Sequence, residues 1–431
     1  MLRMRSRSRR AGLPIAWLPA PLAALLVVAT TVTVWVAGLA QPVAAAVTLT
    51  FAGRMGPAEL GAYTKLLNAY KQSHPGIEIR IENYDASQYD NKILVEMAAG
   101  NAPDVMYIHY TRFPQYAKSG ALTDLTPFIE ADKFDLNQFF PATLMQLRYN
   151  GKTGLAIPRE TSSITMFYNT DLFDKQGLPY PTANWTYDDL LEYARKLTRD
   201  TNGDGTNEFW GINAPTAWFL RVNVLWAFGG DILNPSYTQY VMDQPAAVNA
   251  IQWIADLFWK HKVAPPNNQP YFSTGQVGMM YAGYWDIGYN AKQNFKWDVQ
   301  ILPQGPAGRF VRVATGGHAI PAGSKHKKEA WELLKYLSSH EAMLVLAESG
   351  TSMPALRSAA LTPAVISGYP EHRRLFVESL QYGRVDPVTT VWDKMIAELD
   401  KALGPVWTNE KTAAQALSGV RPIIDTLLKQ Q

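Results

Sequence analysis

The sequence has no cysteine. Disulfides, thiolate zinc sites, Fe–S clusters, catalytic thiols and lipidated cysteines are therefore excluded. Charge is sparse and almost balanced, with 40 Lys+Arg against 37 Asp+Glu among 431 residues. No tandem repeat or low-complexity linker interrupts the chain. The G-x-S-x-G, P-loop and G-x-G-x-x-G patterns are all missing. His340-Glu341 opens like H-E-x-x-H, but the fifth residue is Leu344, so that zinc motif fails. The seven histidines are scattered, and no two carboxylates are marked as an acid–base pair. What remains is 47% hydrophobic, a globular composition long enough for two domains with their own cores.

One absence is local. No charge occurs from Ala11 to Gly53, and no acidic residue precedes Glu59, whereas Arg3, Arg5, Arg7, Arg9 and Arg10 crowd the start. A basic segment, an apolar stretch densest over Leu22–Leu39 and the small run Ala44-Ala45-Ala46 give the layout of a secretory signal over residues 1–46. An uncleaved single-span anchor is the alternative reading. Without the five leader arginines, 35 basic face 37 acidic residues. The pI of about 8.7 thus belongs to the leader, and nucleic-acid binding loses its support.

After Ala46 strands alternate with helices. Leu49–Phe51 reads as a strand, Ala58–Gln72 as a helix stopped by His74-Pro75-Gly76, and Ile77–Ile81 as an alternating strand. A helix over Ile93–Ala99 and a doubly buried strand over Asp104–Ile108 follow. This order argues for a parallel sheet with helices on its faces, whose crevice lies beyond the carboxyl ends of the strands. The loops after Phe51, Ile81 and Ile108 should line it. Thr186 with Asp189, and Ser338 with Glu341, carry the capping-box spacing for helices over Tyr187–Leu197 and Ala342–Glu348.

Several blocks in order carry a family resemblance. They include Pro75-Gly76-Ile77, Gly100-Asn101-Ala102-Pro103-Asp104-Val105, the stretch Gly154–Thr198, Gly275–Met280, Gly283-Tyr284-Trp285, Leu302-Pro303 and Ala330–Leu337. Together they resemble the family 1 extracellular solute-binding proteins of ABC sugar importers, the maltose-binding-protein group. The resemblance implies an α/β, two-lobed periplasmic-binding-protein fold (type II), each lobe a sheet flanked by helices. Crossovers would fall near Pro158–Ser163, Val313–Gly317 and Gly350–Pro354. One lobe would hold residues 47–158 plus 317–350, the other 159–316 plus 351–431. It implies no enzymatic activity and no catalytic cofactor. The implied role is a monomeric receptor, exported to the periplasm or the outer face of the cytoplasmic membrane, which delivers a sugar to permease subunits.

Sugar clefts need flat apolar faces for C–H surfaces and fixed polar groups for hydroxyls. Seven of the 13 tryptophans lie between Trp210 and Trp297. Trp285, with Tyr284, follows an apolar strand over Val277–Tyr281 and matches the family's sugar-stacking tryptophan. Trp218 with Phe219, and Trp392 after Asp386-Pro387, fall where the family places cleft aromatics. Arg112, in Tyr110-Thr111-Arg112-Phe113, resembles a family arginine that donates to sugar hydroxyls. Thr111 stands where maltose binders have aspartate, so maltose-like binding is not expected. Glu160, Thr161 and Ser162 lie on the first crossover. Arg54 and Met55 lie in the loop after the first strand, and Gly316-Gly317 gives a close backbone approach or a hinge.

Asp200-Thr201-Asn202-Gly203-Asp204-Gly205 has the D-x-N-x-D-G form of a calcium loop, with Thr206 and Glu208 as further oxygens. Position twelve is Gly211, so this is no EF-hand. Structural calcium and a plain Asx turn both fit. The alternatives to a sugar receptor are a binding protein for a phosphorylated polyol or other anion, met by Arg54 and Arg112, and a secreted glycoside hydrolase.

Overall fold

The computed structural model describes residues 46–350, 353–387 and 389–431. The expected leader lies outside these residues except for Ala46. Ten strands form the framework: β1 (Val47–Gly53), β2 (Ile77–Asn83), β3 (Val105–His109), β4 (Ile157–Asn169), β5 (Trp210–Asn213), β6 (Val277–Gly283), β7 (Trp297–Gln300), β8 (Val311–Ala319), β9 (Met353–Pro354) and β10 (Gly383–Val385). Their main order is β2-β1-β3-β8-β4-β6-β5, with β10 on β8 and β7 and β9 on β4. The β2-β1-β3 part is parallel, as expected. Strand β8 then joins β3 antiparallel, so the sheet is mixed.

The first helix runs Pro57–Ser73 and buries Tyr63, Leu66, Leu67 and Tyr70 at helical spacing. Pro57 opens it, where a missing N–H costs nothing. The second starts a turn earlier than expected, at Tyr89, because that ring is buried and its hydroxyl donates to the Tyr107 carbonyl at 2.7 Å. Thr186 and Asp189 close the expected capping box of the Tyr187–Leu197 helix. The later expectation needs correction. Ser339, not Ser338, caps a helix over His340–Ala347, while the Ser338 hydroxyl turns back to the Leu334 carbonyl at 2.8 Å.

Strand β4 explains how the two halves are joined. Its residues Ile157–Ser163 pair with β8, while Ile164–Asn169 pair with β6 or β7. It contributes Ile157 to a core with Phe51, Tyr63 and Trp331, and Met166 and Tyr168 to a core with Trp226, Ile251 and Leu399. The expected crossovers fall on β4, β8 and β9. Thr351 and Ser352 of the third lie outside the described residues. No helix among the described residues is long and apolar enough to cross a membrane.

Candidate functional site

A cavity of about 500 Å³ opens along the crossing strands, within the roughly 300–1,000 Å³ range of small-molecule pockets. Arg54 and Met55 after β1, Ala86 after β2 and His109 at the end of β3 reach it. These are the strand ends where an α/β sheet places ligands.

One wall is polar. Arg159 of β4 pairs with Glu59 of the first helix and with its neighbour Glu160. It also donates to the Tyr63 hydroxyl at 3.0 Å, which lies 2.7 Å from His318 Nε2. Burial, with help from Arg159, lowers the His318 pKa to about 3. The ring is therefore neutral, and its Nε2 shares a hydrogen bond with the Tyr63 hydroxyl whose direction the imidazole tautomer sets. Tyr107 donates to Glu160 Oε1 at 2.9 Å and lies under both Arg159 and Arg54, 4.8 and 5.1 Å from its centroid. A side chain on Gly316 would collide with both Glu160 and Tyr107; the glycine is what lets them meet. His109 is also neutral, its pKa lowered to about 3 by burial and then by Arg54 and Arg312. This wall presents donors and acceptors in fixed positions with little charge left unmatched.

The facing wall is aromatic. Trp218 and Phe219 open the Trp218–Ala227 helix, and Tyr284 and Trp285 form the turn after β6. Phe219 meets Trp285 edge-on at 6.1 Å, and Trp285 is 37% exposed. Arg312 of β8 lies 4.6 Å over the Trp218 ring. It is fixed there by the buried Asp386 carboxylate at 2.8 Å and by the Tyr110 hydroxyl. Flat apolar faces opposite a hydrogen-bonding wall suit a polyhydroxylated ring.

Arg54, Glu160, Thr161, Ser162, Trp218, Tyr284 and Trp285 all line this cavity. Four other expected residues are placed elsewhere. Arg112 pairs with Asp90 at 3.4 Å and with Asp393. Tyr110 is buried against Arg312. Gly317 packs β8 onto β4, since a Cβ there would stand 2.8 Å from the Ile157 carbonyl oxygen. Trp392 is buried and meets the Trp218 ring edge-on at 5.7 Å. Sequence reasoning missed Glu59, Tyr107, Arg159 and Arg312. Each sits in an unremarkable helix or strand, and only the strand-end rule hinted at Tyr107.

The D-x-N-x-D-G loop lies apart from the cavity. Carboxylate oxygens of Asp200, Asp204 and Glu208 lie within 4.8 Å of one another. Asp200 accepts from the Gly203 and Gly205 amides at 2.6 and 2.8 Å. Asn202 and Asp204 accept from the amides two residues on, those of Asp204 and Thr206. Glu208 binds back to Thr201. The backbone donors, Gly205 first and then Gly203, hold the Asp200 pKa below its ordinary value.

Comparison with known proteins places this geometry. The model for bacterial extracellular solute-binding proteins matches residues 56–344. An ABC substrate-binding protein of Listeria monocytogenes, solved in complex with cycloalternan, is 28% identical with a TM-score of 0.79, covering 89% of this chain and 99% of that one. A maltose-bound protein of T. maritima is 26% identical with a TM-score of 0.72, over 89% and 99% of the two chains. A maltotriose-binding protein of Pyrococcus abyssi is 25% identical over 295 residues, 66% of this chain and 61% of that protein. These relatives bind solutes and are not enzymes, and their two-lobed fold is the one described above. With its mixed sheet, its cavity at the strand ends and a match over most of its length, the chain belongs to the bacterial extracellular solute-binding protein family.

Proposed function

We propose that this protein is a receptor outside the cytoplasm that captures a carbohydrate between two lobes and hands it to the permease of an ABC importer. The observation that carries this reading is the aromatic wall of Trp218, Phe219 and Trp285 facing the Arg159–Glu160–Tyr107 wall across one cavity. The lobes in this reading are residues 47–158 plus 317–350 and 159–316 plus 351–431. Strands β4, β8 and β9 serve as the hinge. A sugar touching both walls favours the closed form, which the permease then recognises. The receptor acts as a monomer, in the periplasm or at the outer face of the cytoplasmic membrane.

The anionic alternative has less behind it. Arg112 is held by Asp90 and Asp393 and does not line the cavity. Arg159 and Arg312 face carboxylates of their own. Against the cost of burial, Tyr107 first and then Asp90 and Glu160 hold the Arg54 pKa above its ordinary value. The charges of Arg159 and Arg312 are thus matched by carboxylates, which suits a neutral solute.

The test is a thermal-shift screen of residues 47–431 against mono-, di- and oligosaccharides and polyol phosphates. A ligand that binds only the native state raises its melting temperature. A sugar class should give a shift of several degrees. Trp285→Ala should weaken that sugar about tenfold or more, roughly 1.4 kcal/mol per decade. A shift from phosphate esters alone, falling with added salt, would replace the sugar with an anion.

A further inference from the structure

A seam runs beside the cavity where elements of two separate cores meet. Phe113 and Tyr116 of the helix over Phe113–Lys118 pack with Ala52, Ile93 and Ile108. Trp392 and Met395 of the helix over Trp392–Trp407 pack with Trp226 and Ile251 instead. Polar contacts cross between the two sides. Arg112 pairs with Asp393, Gln115 Nε2 donates to the Thr390 carbonyl at 3.3 Å, and Lys118 Nζ donates to the Gln430 carbonyl at 3.4 Å.

Arg112 is held from both sides of this seam. On its own side, Asp90 meets the guanidinium Nε at 3.4 Å. The three side chains are half-buried, at 36% exposure for Arg112, 20% for Asp90 and 32% for Asp393. Each anchor adjoins a wall of the cavity. Asp90 lies in the first turn of the Tyr89–Ala98 helix, four residues after the cavity-lining Ala86. Asp393 directly follows Trp392, whose ring meets Trp218 of the aromatic wall. Arg112 itself does not line the cavity. It can therefore act on both walls without touching what lies between them.

We propose that Arg112 is an interlobe clasp, tying Asp90 of one lobe to Asp393 of the other and setting how readily the receptor shuts on any solute. This inference rests on the hinged, two-lobed reading above and names a contact of its closed form. Rotation about the hinge would part Arg112 from Asp393 and leave its pairing with Asp90 intact. Half-exposed ion pairs have modest effects, so the closed-to-open ratio should change about two- to fivefold. Apparent affinity scales with the fraction able to close, so every solute should show the same factor.

The chain has no cysteine, so Lys65→Cys and Lys401→Cys, both exposed and one on each side of the seam, give two unique spin-label positions. Electron–electron resonance distances should be measured without sugar. Arg112→Met and Asp393→Asn should each shift the distribution toward the longer distance, with the closed fraction falling relative to the open one about two- to fivefold. The double variant should fall no further than either single one, because both remove the same contact. Asp393→Asn is isosteric, so its fold should melt as the wild type does. Titration with maltose, maltotriose and mannotriose should then show one common loss for every sugar that binds. Unchanged distances in both single variants, or single effects that add in full, would overturn the clasp. A loss confined to one sugar would overturn it too, since Arg112 would then touch that sugar. If none of the three sugars binds, the sugar reading is what fails, and the sugar-free distances still decide the clasp.

Discussion

At Gly283 a Cβ would stand 2.3 Å from the Trp285 ring. The backbone there is extended, with φ −102° and ψ 171°, so the glycine is needed for space and not for conformation. The indole folds back over its own strand end, and Asp286 fixes the turn by accepting from the Gly283 amide at 3.1 Å. Burial raises the Asp286 pKa to about 6 from 3.8, against that hydrogen bond. The folded state therefore binds this proton more tightly than the unfolded one. Its contribution is most favourable below about pH 4, declines as the pH rises to 6, and stays low above. Asp286→Asn keeps an acceptor for Gly283 without the buried charge. The variant should gain melting temperature relative to wild type as the pH rises from 4 to 6, then hold a constant lead. A difference that is flat across this range would show that the carboxyl does not titrate there. Trp285 was legible through a family resemblance carried by the local run Gly283-Tyr284-Trp285 after an apolar strand, and it lines the cavity. Arg312 was not, since its partners Tyr110 and Asp386 lie 202 and 74 residues away. Arg112 shows the converse: its place at a strand end points to a ligand, but acids from two distant elements claim it.

Among the elements, helices with self-contained caps were readable from sequence. Thr186 and Asp189 need only each other. Ser338 and Ser339 compete for one role, and the preceding helix decides it. That helix ends at Leu337, which commits Ser338 to the Leu334 carbonyl and leaves Ser339 to cap the next. The Asp200–Glu208 loop is a third self-contained element. Its side chains already accept from the loop's own amides while three carboxylates converge. Such convergence costs repulsion that a divalent cation would relieve. Millimolar calcium should therefore raise the melting temperature by a few degrees, and chelator should reverse it. Asp204→Asn should abolish the response. Identical melting curves with calcium and chelator would make the loop an Asx turn and nothing more.

For the whole molecule, the parallel β2-β1-β3 unit could be read from alternation and turn residues, but its next neighbour could not. Strand β8 pairs Met106 with Ala319 and His109 with Gly316, a contact across more than half the described chain and invisible to local pattern. The core around Phe51 likewise needs Trp331 and Leu334 from far downstream. A fragment ending at Asn169 should consequently show no cooperative melting, although it contains β1 to β4. A sharp calorimetric transition in that fragment would mean that the first lobe is autonomous. Because β3 pairs with β8 only once residue 319 of 431 has been made, most of the chain is synthesised before the core around Phe51 can close. An export route that carries an unfolded chain would therefore meet a polypeptide whose first sheet stays open for most of its synthesis.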